Sequence, residues 1–131
     1  MKKKSHEARR TARILLVEDY EDAREMYAEL LSHAGYSVAT ALDGEEGLDR
    51  ALSERFDLIV MDIALPKLDG LSVIAALRRR ADTKAVPIIG LSAMPDADMR
   101  RAVLDSGADV FIEKPCLPAE LEGAVRKLLR E

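Results

Sequence analysis

The stretch FDLIVMDIALPKLDG, Phe56 to Gly70, holds the key to the fold. Four apolar residues, Leu58 to Met61, run without polar interruption into a lone carboxylate, Asp62, and Pro66 closes the run soon after. An unbroken apolar run of strand length fits a strand covered on both faces, as in a parallel sheet. A carboxylate ending such a strand is costly to desolvate unless water, a cation or a hydrogen-bond donor meets it there.

The same grammar recurs on both sides. RILLV (Arg13–Val17), SVATA (Ser37–Ala41), PIIGL (Pro87–Leu91) and VFIE (Val110–Glu113) are further short apolar or β-branched runs. Helical patterns lie between them. Ala23, Met26, Tyr27, Leu30, Leu31 and Ala34 form one apolar stripe, stopped by Gly35. Leu48, Ala51 and Leu52 repeat the spacing behind Asp43-Gly44, and Leu71, Ile74 and Ala75 repeat it after Gly70. The stretch Pro95–Ser106 has a proline and acidic residues at its start and Gly107 at its end. Leu121, Ala124, Val125, Leu128 and Leu129 make the last stripe, after Pro118. Five strands thus alternate with five helices, and right-handed crossovers fold such a chain into a three-layer α/β sandwich around a parallel sheet.

With 131 residues the chain fits one domain. The net charge of −4 conceals an asymmetry: residues 1–13 hold six Lys/Arg against Glu7, or +5, and the remainder holds fourteen against twenty-three Asp/Glu, or −9. Residues 1–12 read as a flexible, solvated basic tail and residues 13–131 as the domain. The basic start has no apolar segment behind it, so it is not a secretion signal, and no apolar run approaches the roughly 18 residues of a membrane span. The cytoplasm is the expected location. Cys116, the single cysteine, can neither staple the chain nor build a zinc site, and reads as inert. The triplet Arg78–Arg80 reads as a solvated helix end.

In open parallel sheets, ligands bind beyond the carboxyl ends of the strands. There the first run delivers Glu18 and Asp19, the third Asp62, the fourth Ser92 and the fifth Lys114. Crowded carboxylates repel unless a cation relieves them, and an oxygen-only site suits Mg²⁺. A carboxylate can attack a phosphoryl group and hold it as an acyl phosphate. In such a step Lys114 would add positive charge and the Ser92 hydroxyl a hydrogen bond. Nucleotide-binding glycine loops and the G-x-S-x-G elbow are absent, and neither His6 nor His33 lies near a strand end.

Over Arg13 to about Leu129 the sequence resembles the receiver domain of two-component response regulators. The resemblance rests on LLVEDYEDAREM, DLIVMDIALPKLDGL, PIIGLSA and SGADVFIEKP, in order and at successive strand ends. It implies a flavodoxin-like sheet of order 2-1-3-4-5 and a cis peptide before Pro115. Asp62 is then the phosphoacceptor. Glu18, Asp19, Asp62 and the backbone carbonyl of Ala64 hold Mg²⁺, Lys114 is the family's lysine, and Ser92 and Phe111 are the switch pair. The implied partners are a histidine kinase or histidine phosphotransfer protein, together with a downstream protein the sequence does not name. A phosphorylation-dependent homodimer is a further partner state. The chain would catalyse only its own phosphorylation and dephosphorylation, and would change its surface around Met99, Arg100 and Ile112.

Several positions depart from the family. Tyr20 follows the acidic pair where a polar or acidic residue is frequent, and Ala64 is small and apolar, so the lifetime of a phosphorylated state is open. Leu65 replaces a frequent Met with little expected consequence. Phe111 lacks a hydroxyl and must couple by packing. Ala64 also argues against an aspartate-nucleophile phosphatase, which wants a second carboxylate two residues after the first as general acid. The chain ends soon after its fifth helix, so a stand-alone regulator without a DNA-binding domain is expected. The alternatives are a receiver module of a longer hybrid kinase or regulator, and a degenerate receiver serving as a constitutive interaction module.

Overall fold

A computed structural model describes residues 11–93 and 96–130. Strands and helices alternate as β1 Arg13–Val17, α1 Glu21–His33, β2 Ser37–Ala41, α2 Gly44–Ser53, β3 Leu58–Asp62, α3 Gly70–Arg78, β4 Ile88–Ser92, α4 Ala97–Ser106, β5 Val110–Glu113 and α5 Pro118–Leu128. The strands pair in parallel in the order β2-β1-β3-β4-β5, the sandwich and the strand order expected.

Why the central strands lack alternation is plain from their two faces. Ile14, Leu16, Leu58, Val60, Ile89 and Leu91 face Tyr27 and Leu31 of α1 and Leu121 and Val125 of α5. Leu15, Val17, Ile59, Met61 and Ile88 face the other way, onto α2, α3 and α4 through Ala51, Val73, Ile74, Leu77 and Val103. Each fully buried Leu or Ile contributes about 1.5–3 kcal/mol, so both helix layers are held chiefly by these strands.

Strand limits differ from the apolar runs by one residue. β3 extends through Asp62 and β4 through Ser92, because the ladder continues with Asp62 opposite Leu91 and Ser92 opposite Glu113. Pro87 lies outside β4, having no N–H to contribute. α4 begins at Ala97, where the Asp96 side chain caps it by accepting from the Met99 amide at 2.8 Å. Pro95, expected inside that helix, lies outside the described residues, as do residues 1–10 of the basic tail.

Three expectations need correction. Met26 is 51 % exposed, because only Tyr27 and Leu31 of the α1 stripe reach the sheet fully. Ile112 belongs to the core against α1 and α5 and is absent from the surface. Arg78 is no solvated helix end: its guanidinium donates to the carbonyls of Gly107 at 2.8 Å and Val86 at 2.7 Å and pairs with Asp109 at 3.0 Å. Arg79 and Arg80 are exposed as expected. No helix among the described residues is long and apolar enough to cross a membrane.

Candidate functional site

The rim at the carboxyl ends of the strands is assembled by the ladder itself. The Glu18 amide donates to Ala41 across β1 and β2, Ile63 to Leu91 across β3 and β4, and Lys114 to Ser92 across β4 and β5 at 2.8 Å. These bonds continue the parallel pairing one residue past each strand. They set Glu18, Asp62, Ser92 and Lys114 side by side although they come from four separate parts of the chain.

Oxygens of Glu18, Asp19 and Asp62 lie within 4.8 Å of one another. Glu18 is fully buried, Asp62 nearly so, and Asp19 exposed. The Lys114 ammonium donates to Glu18 Oε1 at 2.7 Å and to Asp62 Oδ2 at 3.5 Å. Asp62 Oδ1 accepts from the Ala64 amide at 3.3 Å. Gly70 lets the following helix approach Asp62: a Cβ there would stand 2.6 Å from the Asp62 carbonyl oxygen.

The electrostatics follow from this packing. Burial, then the neighbouring Glu18 charge, push the Asp62 carboxyl up to about 7, with Lys114 and the Ala64 amide opposing. For Lys114, burial acts to lower the pKa, but the hydrogen bond to Glu18 and the charges of Asp62 and Glu18 outweigh it, and the net shift is upward. The ammonium therefore stays charged and partly neutralises two acids. A second positive group would relieve the cluster further, and three clustered carboxylates are the hard oxygen donors that suit Mg²⁺. The residues present fit that ion.

Ser92 and Phe111 stand on adjacent strands, and among the described residues their side chains contact α4. The Ser92 hydroxyl donates to Met99 Sδ at 3.1 Å, and the Phe111 ring lies under the Arg100 guanidinium, 4.7 Å from its centroid. Ala64 meets Asp62 through its amide. Tyr20 is 63 % exposed on the loop after the acidic pair.

One residue not singled out in the sequence also shapes the rim. Arg24, one turn into α1, reaches back to the carbonyls of Glu18 at 3.2 Å and Asp19 at 3.3 Å and so holds the acidic loop. Its place five and six residues after the pair was the available signal. Tyr27 is buried beneath the loop after β5, where Cys116 Sγ lies 3.9 Å from its hydroxyl; burial pushes both pKa values up. A cavity of about 390 Å³ among Phe56, Ile59 and Val86 lies at the opposite end of the sheet and contains none of the rim residues. The Lys114-Pro115 peptide is cis, as the resemblance implied.

Comparison with known proteins agrees with this architecture. The family described as response regulator receiver domain matches residues 14–126. The chain is 44 % identical over 118 residues to the response regulator MprA of Mycolicibacterium vanbaalenii, covering 90 % of this chain and 50 % of MprA. It thus spans about half the length of the curated relatives it matches. Among solved structures, chemotaxis response regulator CheY4 of Vibrio cholerae superposes with a TM-score of 0.85 at 31 % identity, covering 91 % of this chain and 99 % of CheY4. The receiver domain of the sensor histidine kinase PA1611 from Pseudomonas aeruginosa does so with 0.87 at 32 %, covering 93 % and 100 %. By its fold, its rim of acids and lysine, and this match over most of its length, the chain belongs to the response regulator receiver domain family of two-component signalling.

Proposed function

We propose that this receiver is a cytoplasmic phosphoryl switch with Asp62 as its acceptor. The observation that carries the reading is the convergence of Asp62, Glu18 and Asp19 within 4.8 Å, with the Lys114 ammonium 3.5 Å from Asp62. A partner histidine kinase or phosphotransfer protein presents a phosphohistidine. An Asp62 carboxylate oxygen bonds to phosphorus as the phosphorus–nitrogen bond breaks, and the imidazole leaves with its electron pair. Glu18, Asp19, Asp62 and the Ala64 carbonyl would hold Mg²⁺, which when bound offsets negative charge on the phosphoryl oxygens. The crystal structure of the PA1611 receiver domain has a magnesium ion coordinated in its active site cleft, which supports this assignment by likeness.

Lys114 has a second task, since its ammonium neutralises the buried Glu18 until a phosphoryl oxygen draws it over. Ser92 would donate its hydroxyl to another of those oxygens, with Phe111 repacking beside it. Contacts made in only one arrangement shift the population toward it, so the surface of α4, β5 and α5 would change for a downstream protein or a second copy of the chain.

Intact-protein mass after incubation with acetyl phosphate and Mg²⁺ tests the reading. One added phosphoryl group is expected, lost with a chelator and in Asp62→Asn. Labelling of that variant at the wild-type level would remove Asp62 from its role. The length of the curated relatives favours a second reading, in which the same switch is the input module of a longer regulator. The reading frame surrounding the coding sequence distinguishes the two.

A further inference from the structure

The two residues assigned to the switch are both held by α4, through neighbouring side chains. Ser92 Oγ donates to Met99 Sδ at 3.1 Å, and Arg100 covers Phe111 at 4.7 Å. Ser92 is nearly buried at the end of β4, one residue beyond the pairing of Asp62 with Leu91. A hydroxyl has one proton to donate, and here the Met99 sulfur receives it. The same proton cannot also serve an oxygen on Asp62.

α4 is fixed so that Met99 and Arg100 can make these contacts. The Asp96 cap accepts from the Met99 amide at 2.8 Å. One turn further on, Val103 packs so closely on β4 that a Cβ on Gly90 would stand 2.7 Å from its methyl. Gly90 is the register partner of Phe111. The helix is therefore anchored at both ends of the turn that carries Met99 and Arg100.

We propose that Met99 and Arg100 are positioning residues, a two-point latch that holds Ser92 and Phe111 in the unphosphorylated arrangement and sets how readily Asp62 accepts a phosphoryl group. The proposal rests on the phosphoacceptor reading above and adds to it the element that resists the switch. A thioether is a weak acceptor, and an anionic phosphoryl oxygen outcompetes it for the Ser92 proton. The contact thus yields to the ligand without blocking it. Any ligand that recruits Ser92 must break the Met99 bond, so linkage requires that removing the bond raises the ligand's affinity.

The test is a fluorine NMR titration of the wild type, Met99→Leu and Arg100→Gln with beryllium trifluoride, a phosphoryl mimic, in Mg²⁺, alongside thermal unfolding of the same proteins. Leucine keeps the volume of Met99 and removes the acceptor. Met99→Leu should bind the mimic about three- to tenfold more tightly, the effect of one modest hydrogen bond lost from the free state. Arg100→Gln, a change on an exposed residue, should bind about two- to fivefold more tightly, and Arg100→Lys should return toward the wild type because it keeps a cation over the ring. Affinity rises in both variants while thermal stability holds or falls, a divergence that a packing role would not produce. Affinity at or below the wild-type value in Met99→Leu and Arg100→Gln would overturn the latch and leave the acceptor reading intact. A wild type that neither binds the mimic nor takes phosphate from acetyl phosphate would overturn both.

Discussion

Asp62 sits where a carboxylate is least comfortable, at the end of a buried strand and beside a second buried acid. Folding raises its pKa from 3.8 to about 7, burial first and the Glu18 charge second. The folded protein therefore holds this proton more tightly than the unfolded chain. Stability contributed by the protonated group is fully present below the unfolded value and is lost as pH rises through about 7. Asp62→Asn carries no charge at any pH and keeps an oxygen for the Ala64 amide. It should be more stable than the wild type by up to about 4 kcal/mol at pH 8, with the gain shrinking as pH falls toward 4. Urea unfolding of both proteins across that range measures it, and a pH-independent difference would show that Asp62 is not the strained group.

At the scale of elements, the joint between α3, α4 and β4 depends on one side chain. Arg78 donates to the ends of two segments, Gly107 after α4 and Val86 before β4, and pairs with Asp109, whose carboxylate also accepts from the Ile88 amide at 2.8 Å. Gly107, at φ +124°, ends α4 and makes room for the contact, since a Cβ there would stand 2.5 Å from Arg78 Cγ. A planar guanidinium with five donors can span these acceptors, whereas an ammonium cannot. Arg78→Ala should lower stability by about 2–3 kcal/mol, and Arg78→Lys should recover little of it. The urea midpoint should fall with the denaturant slope unchanged. Because α4 also carries Met99 and Arg100, slack in this joint should reach Ser92 and Phe111 too.

Taken as a whole, the molecule is a parallel sheet between two helix layers that presents acids of differing burial at one rim. A ligand that binds only the folded form adds stability by mass action, about 2.7 kcal/mol at a hundredfold excess over its dissociation constant. Saturating Mg²⁺ should accordingly raise the unfolding temperature by several degrees at pH 8. The rise should be smaller at pH 5, where the proton on Asp62 competes, and should vanish with a chelator or in Asp19→Asn. A thermal shift that is the same at both pH values would place the ion away from Asp62.

Much of this was legible in the chain. Unbroken apolar runs such as Leu58–Met61 dictate strands buried on both faces, helical stripes lie between them, and residues just past each run must share one rim of a parallel sheet. Adjacency in sequence was sufficient, because Asp62 follows Met61 whatever the rest of the fold does. Partnerships were not legible, because they join residues far apart in the chain. Lys114 meets Glu18 across 96 positions and Asp62 across 52. Arg78 found its carbonyl partners only when Gly107 was brought beside it, and the basic triplet alone read as solvated charge. The one proton of Ser92 goes to Met99 because α4 packs a sulfur within 3.1 Å of it. Local pattern determines where chemistry-bearing residues stand along the strands; tertiary packing decides which of them share a proton, a charge or a hydrogen bond, since those depend on separations of a few ångströms between distant segments.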